Sequence, residues 1–238
     1  MSSTAKEYAR KSLEQNGWYV RKVLGLSSGI DCFFEIRGRL GIKLNVVFDV
    51  GAHRGETVAE IAKRFPAARI FAFEPVPANF RVLERNCSSL SNVTCFCLAL
   101  GDREGAQNIF ILDDTQTHTL KRPVSNGTAP PNTAAIEVAT LDHFLENHGS
   151  PRIDLLKIDV EGYELNVLEG ARKTLGENPP RLILAEASLD PSDKIHTSFL
   201  DIVACLSQYG YHVLSIYDQV VWPNPKRLAY FNALFALE

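Results

Sequence analysis

From residue 45 onward the chain alternates short apolar runs with stretches of helical periodicity. Val46–Val50, Arg69–Phe73, Val93–Leu98, Ile153–Ile158 and Leu182–Ala187 are mainly apolar and rich in β-branched or aromatic residues. Their length and composition predict buried strands. After the first run, Val58, Ile61, Ala62 and Phe65 recur at i, i+3, i+4 and i+7, and Pro66 stops the helix they predict. Pro77 suits the start of a second helix carrying Phe80, Leu83 and Cys87. Leu165, Leu168 and Leu175 mark a helix after the fourth strand, and Ile195, Phe199, Ile202, Val203 and Leu206 one after the fifth. Tyr211–Ile216 and Leu228–Leu237 close the chain as strands without a helix between them, so they are expected to pair antiparallel at one edge. Strands separated by helices predict right-handed βαβ crossovers, hence an α/β fold with a mostly parallel sheet and helices on both faces.

Two segments fall outside this rhythm. Residues 4 to about 24 read as a helix with Lys6, Glu7, Arg10, Lys11 and Glu14 on its wet face, and residues 25 to 43 are ambiguous. The chain is therefore divided into a helical extension, 1–44, and an α/β domain, 45–238. Residues 113 to 134 carry no period, and a loop of that length in a compact domain is functional or disordered.

Composition narrows the classes. The 238 residues are 45% hydrophobic and 22% charged, as in an ordinary globular protein. A formal net charge of −3 without a Lys/Arg block lacks the footprint of a duplex-binding protein, so no nucleic-acid partner is expected. No apolar run approaches the ~20 residues of a membrane helix, and Met1–Lys11 lacks the apolar core of a secretory signal. The five cysteines are odd in number and scattered, which suits small buried hydrophobes in a reducing cytoplasm.

The densest chemistry lies in Val46–Thr57. An apolar run ends in Asp49, two glycines follow four residues apart (Gly51 and Gly55), and a helix begins. A strand, tight turn and helix N-terminus form the corner at which open α/β sheets hold nucleotide-like cofactors. The NAD fingerprint, counted from Gly51, needs glycine at 53 and 56, where this chain has His53 and Glu56. The spacing fits better the acid-x-Gly-x-Gly-x-Gly loop of S-adenosylmethionine methyltransferases, with His53 in place of the middle glycine. Histidine is among the residues that best tolerate a positive φ. At the end of the second strand Glu74 is positioned either to accept hydrogen bonds from ribose hydroxyls or to cap the helix after Pro75 and Pro77.

In these residues and in further motifs the chain resembles the FkbM-type methyltransferases. The motifs run collinearly from about residue 45 to 190: Asp49-Val-Gly-Ala-His-Arg-Gly, Phe73-Glu74-Pro75, Ala99-Leu-Gly-Asp102, Thr140-Leu-Asp142 and Lys157-Ile-Asp-Val-Glu-Gly-Tyr-Glu164. The last string is the most specific. The resemblance implies a Rossmann-like seven-stranded sheet and methyl transfer from S-adenosylmethionine to a hydroxyl, typically of a sugar or polyketide-type metabolite. It implies that Asp49, Gly51, Ala52, His53 and Gly55 surround the methionine part, that Glu74 holds the ribose, and that Ala99, Leu100 and Asp102 border the adenine. The chain departs from the family in two places. His53 stands where asparagine is commoner, and Glu186 is followed by Ala187 and Ser188 instead of a Glu-x-His-like sequence.

An aliphatic hydroxyl needs help to lose its proton. Asp159, Glu161 and Glu186 follow the fourth and fifth strands and are expected at the carboxyl edge of the sheet. Asp159 reads as the base, as an orienting group or as a helix cap. Glu161 reads as support for the turn, and Glu186 as either a site or a structural residue. His118, the only histidine of the long loop, is a further base candidate, and His53 another if its ring faces the cleft. Asp159 and Glu186 together would suit Mg²⁺, but the sequence names no third ligand and no metal set is assigned. A nicotinamide-dependent oxidoreductase and a non-catalytic cofactor-binding module are the competing functions.

Overall fold

The computed structural model of the protein describes residues 28–111, 132–223 and 226–238. The parallel strands form where the sequence places them: β1 (Val46–Val50), β2 (Arg69–Phe73), β3 (Val93–Phe96), β7 (Leu155–Ile158) and β8 (Leu182–Ala187). With β9 (Tyr211–Pro223) and β10 (Lys226–Leu237) they make a seven-stranded sheet in the order β3-β2-β1-β7-β8-β10-β9. The last two strands do pair antiparallel, and β10 also pairs antiparallel with β8, so β10 lies inside and β9 forms the edge.

Every residue of β1 and β8 is buried, as a central strand covered on both faces requires. Successive side chains point to opposite faces. Val46, Phe48 and Val50 therefore join one apolar cluster with Leu141, Phe144, Ile202 and Phe231, whereas Val47 joins a second with Val58, Ile61 and Leu83. Cys32, Phe33, Ile36 and Leu44 belong to the second cluster too. They sit in and after a short helical segment, Cys32–Phe34, that widens into π-type turns over Glu35–Arg39.

The helices are α1 (Glu56–Arg64), α2 (Pro77–Cys87), α3 (Leu141–Asn147), α4 (Glu164–Glu169), α5 (Arg172–Glu177) and α6 (Phe199–Ser207). Two differ from expectation. The helix after β7 is broken into α4 and α5 at Gly170, where a Cβ would lie 1.9 Å from the Gly101 carbonyl oxygen. Asp142 then caps α5: its carboxylate accepts from the amides of Lys173 (2.9 Å) and Thr174 (2.8 Å) and from the Thr174 hydroxyl (2.6 Å). The helix after β8 starts at Phe199, not Ile195, because the preceding residues form a loop; Ser188 and Thr197 pair through the Ser188 amide and the Thr197 carbonyl (2.9 Å).

A second sheet was not expected. β4 (Ala99–Leu100), β6 (Asn132–Ala139) and β5 (Gly105–Ile111) form it, with β6 central, parallel to β4 and antiparallel to β5. Residues 112–131, with His118, connect β5 to β6 and lie outside the described residues. The cysteines are all free. Cys32 and Cys87 are buried, but Cys97 is exposed because β3 ends one residue before it, at Phe96.

Candidate active site at the carboxyl edge of the sheet

The turn after β1 is fixed by close packing. Gly51 has φ +85°, and a Cβ there would lie 1.8 Å from the carbonyl oxygen of Asp159. No side chain fits between the turn and the chain leaving β7. The amides of Gly51 and Ala52 both donate to the Phe73 carbonyl (3.0 and 2.9 Å), which ties the turn to the end of β2. Gly55, at φ +91°, would bring a Cβ within 2.8 Å of Leu83, so α1 seats against α2 there. His53 takes the positive φ (49°) that its place in the glycine pattern demands. Its ring Nδ1 stands 3.6 Å from Glu56, and its Nε2 is buried without a hydrogen bond.

Glu74 joins the turns after β1 and β2. One carboxylate oxygen accepts from the His53 amide (3.0 Å), the other from the Val76 amide (2.9 Å). Burial pushes its carboxyl up to about 7, against the pull of those two amides and the Asn79 side chain. A carboxylate has about four acceptor positions, so capacity remains toward the cleft.

Beneath the turn lies a buried ion pair. Asp49 and Lys157 are directly opposite each other in the β1–β7 register. Lys157 Nζ donates to Asp49 Oδ1 and to Asp159 Oδ2, each at 3.1 Å. Burial works against the Lys157 charge, but the Asp159 and Asp49 carboxylates outweigh it and hold the ammonium above the ordinary lysine range. Burial raises the Asp49 carboxyl, with Lys157 pulling it back. Lys157 thereby fixes Asp159 at the mouth of the cleft.

The other wall is assembled over long range. Glu164 is fully buried, and one of its oxygens accepts from the amides of Val160 (3.1 Å) and Gly162 (3.2 Å) while the other accepts from the Thr197 hydroxyl. It therefore straps the turn after β7 to the loop after β8. That loop carries His196, whose Nδ1 lies 2.7 Å from Asp193 and whose ring stacks on Tyr230 at 4.1 Å between centroids. His196 Nε2 is 3.8 Å from Glu186 Oε2. Burial, with the neighbouring charges of Asp159 and Glu161, pushes the Glu186 carboxyl up to about 10.

A cleft of about 330 Å³ opens among these groups, within the range of small-molecule sites. It brings together Gly51, Ala52, His53, Glu74, Ala99, Leu100, Asp159 and Glu186. Asp49 lies underneath, and Gly55 faces α2. Asp102 does not line the cleft: it accepts from the Tyr163 hydroxyl (3.0 Å) and pairs with Arg103, and it is Tyr163 that lines the wall. Sequence reasoning missed Lys157 as the anchor of Asp159, although its place in the Lys157–Glu164 string offered a signal. It also missed His196 and Asp193. No Glu-x-His follows the fifth strand, and the loop returns a histidine from ten residues beyond Glu186.

A cleft at the carboxyl edge of a sheet ordered β3-β2-β1-β7-β8-β10-β9, with the antiparallel strand second from the edge, defines a Rossmann-like fold of the class I methyltransferase type. A solved precorrin-6y C5,15-methyltransferase from Geobacter metallireducens shares the fold, with a TM-score of 0.50 at 15% identity over 87% of each chain. Residues 49–213 match the methyltransferase FkbM domain, and the chain belongs to that family, whose methyl donor is S-adenosylmethionine. Curated relatives include a methyltransferase 1 of Beauveria bassiana (29% identical over 52% of this chain and 57% of the relative). The 2-O-methyltransferase NoeI of Sinorhizobium fredii is 26% identical over 60% of this chain and 63% of the relative. The hexuronic acid methyltransferase AglP of Haloferax volcanii is 27% identical over 81% and 75%. The chain thus spans less than two thirds of the length of the first two. Among the described residues no helix is long and apolar enough to cross a membrane.

Proposed function

We propose that this protein is an S-adenosylmethionine-dependent O-methyltransferase acting on a hydroxyl of a small molecule, a carbohydrate or a hydroxylated natural product. The observation that carries the reading is the division of one cleft. The glycine turn and Glu74 stand on one side, and the fixed carboxylate of Asp159, with Glu186 beyond it, on the other. The relatives NoeI and AglP, by name an O-methyltransferase and a hexuronic acid methyltransferase, support a hydroxylated acceptor.

The residues present fit the donor. His53 Nε2 is a buried polar atom in the cleft wall without a partner, the kind of group a bound ligand satisfies. Gly51, Ala52 and His53 would hold the methionine part, Glu74 the ribose, and Ala99 and Leu100, with Val76 and Ile109 beside them, the adenine. The donor supplies an electrophilic methyl group when bound. The chain's own contribution is alignment of the acceptor oxygen, since much of the acceleration of a displacement comes from positioning. Asp159 accepts the hydroxyl proton, Lys157 keeps that carboxylate in place, and Glu186 orients the acceptor from the end of the neighbouring strand.

The test is to incubate the protein with isotopically methyl-labelled S-adenosylmethionine and a panel of hexuronic acids, neutral sugars, polyols and phenols. Mass spectrometry is expected to find a labelled methyl ether. A product labelled on nitrogen or carbon, or binding of NADH with none of S-adenosylhomocysteine, would overturn the reading.

A further inference from the structure

We propose that Glu161, Glu186 and His196 form a binding site for a divalent cation of the Mn²⁺ or Zn²⁺ type at the outer end of the cleft. One ligand atom from each residue can be chosen so that all three lie within 4.8 Å of one another. His196 Nε2 and Glu186 Oε2 stand 3.8 Å apart. Neighbouring ligands around an ion with bonds of about 2.1 Å are roughly 3–3.5 Å apart, so closure needs only small side-chain rotations.

Two independent features point to an ion. First, Glu186 is only 8% exposed, and its Oε2, aimed into the cluster, has no hydrogen-bond partner. A buried carboxylate oxygen in that state has an unmet need for positive charge or a donor. Second, His196 is set up as a ligand. Its Nδ1 is bound to Asp193 Oδ2 at 2.7 Å, and Asp193 Oδ1 accepts from the amides of Ile195 (2.8 Å) and His196 (3.1 Å). Metal-bound histidines characteristically give their other ring N–H to such a carboxylate, which fixes the tautomer and presents a neutral nitrogen. Stacking on Tyr230 holds the ring plane.

The donor set selects the ion. One imidazole with two carboxylates suits ions that accept both nitrogen and oxygen, whereas Mg²⁺ and Ca²⁺ prefer oxygen alone. Binding of the ion stands on these residues by themselves. A role in polarising the acceptor hydroxyl rests on the O-methyltransferase reading above.

The experiment is a Mn²⁺ titration of the chelator-treated full chain, with free ion read by electron paramagnetic resonance and Zn²⁺ and Mg²⁺ as competitors. One-to-one binding is expected, displaced by Zn²⁺ far more readily than by Mg²⁺. His196→Ala and Glu161→Gln should weaken it at least ~10-fold, and Asp193→Asn ~10- to 100-fold although it removes no ligand. Circular dichroism melting establishes that each variant is folded, and Glu74→Gln should bind Mn²⁺ as the parent does. Failure of the parent to bind, or binding that survives His196→Ala and Glu161→Gln unchanged, would overturn the site. Calorimetry with S-adenosylhomocysteine on the same samples keeps the two proposals apart. Mn²⁺ binding without cofactor binding defeats the methyltransferase reading alone, and cofactor binding without Mn²⁺ binding defeats the cation site alone.

Discussion

The two walls of the cleft are built in different ways. The wall proposed to hold the cofactor comes from two short stretches, Gly51–Thr57 and Phe73–Asn79, and its shape is dictated by backbone. Gly51 takes a positive φ where the Asp159 carbonyl leaves no room for a Cβ, Gly55 takes a positive φ against the Leu83 side chain, and both Glu74 oxygens accept from backbone amides. The facing wall gathers Asp159, Glu161, Glu186 and Tyr230 from three elements, with His196 stacked on Tyr230, and its shape is dictated by side-chain charge and by two long-range ties, Glu164 to Thr197 and Ser188 to Ala229. A backbone-built wall tolerates no intrusion. A charge-built wall tolerates substitution until an ion loses its partner.

That contrast can be broken most severely at Gly51. Gly51→Ala forces a Cβ into the Asp159 carbonyl and is expected to cost more than about 4 kcal/mol. A thermal melt should show the variant unfolded or far below the parent, and an unchanged melting temperature would mean the turn is not packed as described. Lys157→Met strands Asp49 and Asp159 and should cost about 3–5 kcal/mol in urea unfolding. Adding Asp49→Asn should restore part of the loss, whereas no loss in the single variant would deny the ion pair its structural role.

Asp159→Asn should cut turnover ~100-fold or more while changing S-adenosylhomocysteine affinity only a few-fold. Near-normal turnover would remove Asp159 as the base. The smallest effect is a pH dependence at Glu74. Its carboxyl is raised from an ordinary 4.5 to about 7 in the folded chain, so the folded state holds the proton more tightly than the unfolded one. Its contribution to stability is therefore full below 4.5 and is lost as pH rises through about 7. Affinity for the cofactor should move the other way, gaining as the carboxylate forms and begins to accept from hydroxyls. In Glu74→Gln both slopes should flatten, and a parent-like slope would place the titration elsewhere.

The same contrast explains what the sequence disclosed. The parallel strands were legible because β1, β2, β7 and β8 are apolar runs of the right length, and the glycine turn because its spacing lies within one βα unit. The small sheet was hidden: β5 (Gly-Ala-Gln-Asn-Ile-Phe-Ile) and β6 (Asn-Thr-Ala-Ala-Ile-Glu-Val-Ala) are diluted with small and amide residues of low strand propensity. The break at Gly170 depends on a contact with Gly101, about 70 residues away, that no local pattern encodes. His196 was hidden for a similar reason. Its meaning comes from a loop strapped back by Thr197 and Glu164, and Glu164 itself, the last residue of the most specific string, proved to be the strut.

The central claim is that one wall holds the methyl donor and the other the acceptor. Calorimetric titration of S-adenosylhomocysteine into the parent, Glu74→Gln and Glu186→Gln tests it most directly. The account predicts one-to-one binding, weakened about 10-fold by Glu74→Gln, the loss of roughly one charged hydrogen bond, and left within about two-fold by Glu186→Gln. Absence of binding to the parent, or weakening by Glu186→Gln with Glu74→Gln unaffected, would contradict it.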